Sequence, residues 1–205
     1  MLPALLSGAL LGLAAGFSPG PLSVLVITCT LRHGLREGLK VALVPALSDA
    51  PLVALSVYML SGLEDHARLL GAISLAGAVV VARLGLGTLR TRDMPLAETA
   101  ETPRSLRQGL WVNLLSPHPY LFWFTVGAPQ VVLFSTEGWG GGAAFIAGFY
   151  LCLVGSKLVM ALVTARAKAF ISGRAYAYVM RALGLLLMIF SLMLFKDALA
   201  LFGWL

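Results

Sequence analysis

An all-α polytopic membrane protein is the fold class this sequence predicts, with six transmembrane helices arranged as two inverted three-helix repeats. Three observations carry the expectation: a charge-poor composition, six apolar segments between charged links, and one Ser-Pro-X-Pro motif in each half. Of the 205 residues, 59% are hydrophobic and 12% charged, and the mean hydropathy is +0.91. Soluble domains carry roughly 25% charged residues. A chain this poor in charge cannot cover a water-facing surface, so a bilayer is its solvent. The net charge of +6 would suggest a nucleic-acid partner for a soluble domain. Here the basic residues cluster in short links, which fits the positive-inside pattern instead.

The first segment follows from Met1–Leu31, which contains no charged residue. It lacks the basic start of a secretory signal and exceeds a signal's apolar core, so it reads as a retained span. Apolar segments recur at about 3–31, 39–62, 67–89, 108–135, 141–164 and 179–204. Each meets the need for roughly 20 residues. The whole of 1–205 is expected to be one transporter-like domain, with repeat one over about 1–90 and repeat two over about 108–205. The polar, proline-containing link over about 91–107 joins them. Arg32, Arg36 and Lys40 lie in the first link, and Arg90, Arg92, Arg104 and Arg107 in the third. Arg166, Lys168, Arg174 and Arg181 lie in the fifth, against only Arg68 and Lys196 on the other side. The charge rule places the first set in the cytoplasm and both termini outside. Cys29 and Cys152 fall in apolar segments and suggest neither a disulfide framework nor a metal site. No cofactor is implied.

Two prolines interrupt the first segment at Ser18-Pro19-Gly20-Pro21, and two more interrupt the fourth at Ser116-Pro117-His118-Pro119. Proline in a helix interior costs roughly 3 kcal/mol. It is well tolerated at the first helical position, where a preceding serine is a good cap. Each motif is therefore expected to end one half-helix and start another, breaking spans one and four. The two serines are 98 residues apart. Three spans per half is an odd number, so the second half enters the membrane from the opposite side. Such inverted repeats, with broken helices at the midplane, mark secondary transporters. Both breaks lie roughly 16–18 Å from the cytoplasmic charges at 1.5 Å per residue. Two half-helix N-termini would then face the midplane, each with about +0.5 charge, which suits a carboxylate or another anionic group. A pair of kinks that only shape packing is the competing reading, and the match in depth speaks against it.

Three ionisable residues lie well within spans: Asp49, Arg83 and Lys157. Asp49 and Lys157 occupy equivalent second spans at equal depth, and an Asp–Lys pair across the repeats would relieve the cost of burying either. Removing one partner alone should then hurt more than removing both. Asp49 reads equally as a proton carrier, since burial and a neighbouring cation act oppositely on a carboxyl group, or as half of a structural pair. Arg83, close to Arg90, is expected to snorkel. His118 is a hydrogen-bonded neutral histidine or a substrate contact. Asn113, one turn before the break, caps freed carbonyls or touches substrate. Gly8, Gly12 and Gly16 at helical spacing permit close helix approach. Trp123, Trp139 and Trp204, near span ends, read as partners or interface anchors.

The stretch "GFSPGPLSVLVITCTLRHGLREGLKVALVPALSDA" resembles the N-terminal signature of the LysE/RhtB amino-acid exporters. The matching residues are Pro19-Gly20-Pro21, His33-Gly34 with Gly38, and Asp49, preceded here by Ser48 where the family usually has glycine. "NLLSPHPYLFW" is similar to the family's Asn-Pro-centred motif in the fourth span. The resemblance implies a multi-pass inner-membrane exporter, not an enzyme, that moves amino acids or related small metabolites outward. It implies drive by the proton gradient and work as a homo-oligomer.

Other classes fit less well. A thiol-disulfide carrier would need paired cysteines at the breaks, and an intramembrane enzyme a clustered acid, base or metal set. A cation exporter of related fold is the main alternative and would want more buried carboxylates than Asp49. A non-transport assembly or lipid-addressing protein fits only if the cavity is closed. The orientation is directly measurable. With the native cysteines replaced, a cysteine placed in the Glu64–Arg68 link is expected to react with an impermeant thiol reagent from outside intact cells. Reaction only from the cytoplasm would invert the topology.

Overall fold

The computed structural model describes residues 1–58, 67–90, 104–136, 139–168 and 173–203. Every regular element among them is helical. Most of the 91–107 link, the Glu64–Arg68 link before Ala67, and Trp204 lie outside the described residues.

The first segment forms two helices, α1 (Leu2–Phe17) and α2 (Pro21–His33), whose axes diverge by 63° at the break. Gly34, at φ +89°, turns the chain from α2 into α3 (Leu35–Ala42). This left-handed backbone favours glycine over any residue with a Cβ. The expectation of one continuous span over 39–62 is corrected here. The segment is α3, α4 (Val44–Ser48) and α5 (Ala50–Tyr58). Pro45 and Pro51 each remove an amide that would bond one turn back, so the helix yields at Leu43 and again at Asp49. A long helix, α6 (Ala67–Leu89), completes the first half.

The second half begins with α7 (Ser105–Leu114) and breaks before α8 (Pro117–Phe122). A π-helical turn (Trp123–Gly127) leads into α9 (Ala128–Ser135). Two long helices follow, α10 (Trp139–Lys168) and α11 (Gly173–Leu201). Gly140–Lys168 and Ala177–Ala200 are each long and apolar enough to cross a membrane, and the bent α1–α2 pair together passes the same test. Ser74–Leu89 is a shorter apolar helix.

Packing explains the small residues. α1 lies along α10, with Gly8, Gly12 and Gly16 all buried. A Cβ on Gly8 or Gly12 would overlap the backbone carbonyl of Phe145 or Phe149, respectively. α6 packs on α11, where the Ser191 hydroxyl donates to the Ala78 carbonyl at 2.8 Å. One apolar core joins Val24, Val41, Val81, Val112, Ala161 and Leu187, from α2, α3, α6, α7, α10 and α11. A second, aromatic one holds Trp123, Phe145 and Phe149.

Trp123 corrects the reading of that residue as an interface anchor. It is 1% exposed, stacked on Tyr150 at 6.0 Å and edge-on to Phe149 at 5.4 Å. Aromatic pairs of this geometry add roughly 0.5–1.5 kcal/mol beyond their burial. The outer faces are apolar instead: Leu6, Leu10 and Leu13 on α1, and Leu185, Ile189 and Leu192 on α11, are all exposed. Such a surface suits hydrocarbon. Gly12→Val is expected to destabilise the protein by about 1–3 kcal/mol, the usual cost of overpacking. Thermal aggregation of the detergent-solubilised protein would show it. An unchanged midpoint would mean that α1 and α10 do not pack this closely.

Candidate functional site

The first break starts where α1 gives up its hydrogen bonds. The Ser18 amide still reaches the Ala14 carbonyl at 3.1 Å, and the chain then runs extended. Gly20, at φ −166°, is the cap residue of α2, and no side chain caps that helix. The Ser23 hydroxyl reaches back to the Ser18 carbonyl at 3.0 Å. The freed Gly16 carbonyl accepts a hydrogen bond from Lys157 Nζ at 2.6 Å, and the same ammonium donates to Ser23 Oγ at 2.6 Å. Lys157 is only 4% exposed. A cation at the C-terminal end of α1 also complements the negative end of that helix.

The second break follows Leu114. Ser116 is extended and α8 starts at Pro117. The Tyr120 hydroxyl satisfies the freed Leu114 carbonyl at 2.8 Å. Ser116 Oγ lies 3.2 Å from His118 Nδ1. Just before the break, Asn113 Nδ2 donates to Asp49 Oδ1 and to Ser48 Oγ, each at 2.7 Å. Ser48 Oγ also stands 3.2 Å from Asp49 Oδ1. Asp49, 3% exposed, sits at the junction of α4 and α5, where the helix already yields to the two prolines.

Three expectations change. The motifs do not break in the same register: α2 starts at the second proline of its motif and α8 at the first of its own. Extended Gly20 carries the chain two residues further before helix resumes. Neither serine caps a helix through its side chain. Ser18 accepts at its carbonyl, and Ser116 is engaged with His118. Asp49 and Lys157 do not pair. Each is instead anchored on the broken segment of the other half, Lys157 at Gly16 and Ser23, and Asp49 at Asn113. The freed polar groups at the breaks supply closer partners than the opposite charge does. Asn113 accordingly caps no carbonyl; it holds the carboxylate.

Both breaks open into one cavity of about 660 Å³. It is lined by Ser18, Pro19, Gly20 and Pro21 from one break and by Asn113, Ser116, His118 and Pro119 from the other. Asp49 and Lys157 line it as well. Phe122, Trp123 and Phe149 form an aromatic side, and Lys196 and Asp197 of α11 also line it. A largely apolar concavity with a few convergent polar groups is the usual form of a small-molecule site. Among the described residues no acidic, histidine or cysteine cluster is suited to a metal ion.

The sequence reading missed four participants. Ser23 and Tyr120 satisfy break carbonyls, and Phe149 completes the aromatic side. The Tyr150 hydroxyl is buried beside Asp49 with no completed hydrogen bond. Tyr150 lies seven residues before Lys157, so the two share one face of α10, and that spacing was the available signal. Asp49 is also not the sole buried carboxylate. Glu37, 6% exposed, is buried outside the cavity and pairs with Lys40 at 2.5 Å. Lys40 stands one turn along the strongly amphipathic α3, which lets the pair form.

A family profile described as LysE type translocator matches residues 13–197. No curated protein and no solved structure matches the chain.

Because Asp49 and Lys157 share no hydrogen-bond partner, their substitutions are expected to add. Lys157→Met leaves the Gly16 carbonyl unmet, at about 1–3 kcal/mol for a buried acceptor. Lys157→Met combined with Asp49→Asn should lose the sum of the two single effects within about 0.5 kcal/mol. Stability of the purified variants would be compared. Recovery in the double variant would mean that the two charges meet after all.

Proposed function

The chain belongs to the LysE type translocator family, and from that premise we propose that it is a secondary transporter exporting amino acids or related small metabolites across the inner membrane. The observation that carries the reading is the single cavity shared by both helix breaks. It holds one buried carboxylate and one buried ammonium in its wall. An α-amino acid presents the complementary pair. Its ammonium suits Asp49, and its carboxylate suits Lys157 and the uncapped amides at the start of α2, where the helix dipole favours negative charge. The Ser116–His118 pair supplies further hydrogen-bonding groups in the lining.

Six spans in two inverted repeats belong to the same reading, with both termini outside. Packing supports it. The first segment of each half lies on the second span of the other, α1 on α10 and α7 on α3 and α4, while α6 and α11 pack together. Rocking one half against the other around the cavity is how such repeats give alternating access.

Asp49 is the proton site in this scheme. A carboxylate accepts a proton or a substrate ammonium but not both, so protonation from outside releases the substrate, and loss of the proton to the cytoplasm readmits the next one. The cation-exporter alternative is less well supported, because Lys157, which also lines the cavity, repels a bare cation. The assembly or lipid-addressing alternative gives no use to a cavity lined by buried charges.

Asp49→Asn is expected to abolish gradient-driven export in everted vesicles and to leave substrate exchange, which moves no net proton, at a raised KM because the substrate ammonium loses its carboxylate. The variant should remain at normal abundance. Full gradient-driven export at that abundance would remove Asp49 from proton coupling.

A further inference from the structure

Gly20 lines the cavity, yet nothing about its own conformation or packing asks for glycine. Its φ of −166° is extended backbone that any residue adopts, and a Cβ placed there would meet nothing within 4 Å. At Gly8 and Gly12 the missing side chain makes room for a neighbouring helix. At Gly20 it makes room for nothing in the protein itself. The space it leaves belongs to the cavity.

The other walls say what that space suits. Of the aromatic residues lining the cavity, Phe122 is half-buried and stacks at 4.8 Å on Phe149, which like Trp123 is almost wholly buried. Beyond Asp49 and Lys157, the only charged residues lining the cavity among those described are Lys196 and Asp197. These two are sequence neighbours of opposite sign, Lys196 exposed and Asp197 half-buried, so the lining carries as many carboxylates as ammonium groups. A basic or an acidic substrate side chain would meet no excess of the opposite charge to offset its own burial.

We infer that the cavity selects neutral amino acids with large apolar side chains, with Phe122, stacked on Phe149, receiving the side chain and Gly20 setting its size limit. This rests on the reading of the protein as an amino-acid exporter and adds the class of substrate to it. A bulky side chain lies against the aromatic wall, while the α-ammonium and α-carboxylate reach Asp49 and Lys157.

The test is uptake of radiolabelled phenylalanine, leucine, alanine, lysine and glutamate into energised everted vesicles, compared with vesicles lacking the protein. Leucine and phenylalanine are expected to accumulate with KM values about tenfold or more below those of lysine and glutamate. Gly20→Ala is expected to raise the KM for phenylalanine about tenfold and that for alanine less than about twofold, the range within which a methyl group changes recognition. The open space around Gly20 allows this variant to fold, which its normal abundance would verify. Preferred uptake of lysine or glutamate would overturn the apolar side-chain site and leave amino-acid export standing. Equal effects of Gly20→Ala on phenylalanine and alanine would overturn the size limit. Uptake of none of the five would overturn both the specificity and the export reading beneath it.

Discussion

A helix broken inside an apolar segment leaves amides and carbonyls that lipid cannot satisfy, and the way this chain meets that demand positions the rest of its polar groups. Lys157 closes the first break by donating to the Gly16 carbonyl and to Ser23. Tyr120 closes the second at the Leu114 carbonyl. Asp49 takes its hydrogen bonds from Asn113, one turn ahead of the second break, and from Ser48 beside it. Two buried charges that might have neutralised each other are thereby held apart, each by the opposite half of the chain. A cavity between them follows from that separation.

The same arrangement gives the two halves a reason to move together. In the proposed scheme a ligand with charges of both signs would engage Asp49 and Lys157 at once, and so compete for the ammonium that closes the first break and the carboxylate that Asn113 holds ahead of the second. Such a ligand interacts differently with the breaks as they stand and with the breaks released, which is the requirement for a ligand to shift a conformational equilibrium. The apolar cores do not share this property. Gly8 and Gly12 lock α1 against Phe145 and Phe149 backbone to backbone, so motion is better placed at the breaks and at the α4–α5 junction than along α1 and α10.

Much of this was legible in the sequence, and the parts that were not have physical causes. Proline placement located the ends of α1 and α7 and the starts of α2 and α8 to within a few residues, because the missing amide acts locally. The bends at Leu43 and Asp49 were not anticipated, because Pro45 and Pro51 lie in a segment whose apolar run reads as continuous. Burial depth singled out Asp49 and Lys157 correctly as sequestered charges. The Gly16 carbonyl that Lys157 meets was beyond reach, since a carbonyl freed by a helix break carries no side-chain signature, and Asn113 was singled out without being matched to Asp49. Trp123 was misplaced for a related reason. Distance from a span end suggests an interface, whereas the π-helical turn that follows Phe122 turns the ring into the core. Glu37 escaped notice because it lies in a charged link, where only the basic residues were counted.

The central claim is that one cavity between the two breaks is reached from each side of the membrane in turn. It is tested most directly by Ser18→Cys and Ser116→Cys, made separately in a protein whose Cys29 and Cys152 are replaced by serine. Reaction with a membrane-impermeant thiol reagent would be followed in right-side-out and in everted vesicles. Each cysteine is expected to react from both sides, with either face alone able to carry labelling to completion. Reaction from one face only at either position, or from neither, would contradict a shared and alternately opened site.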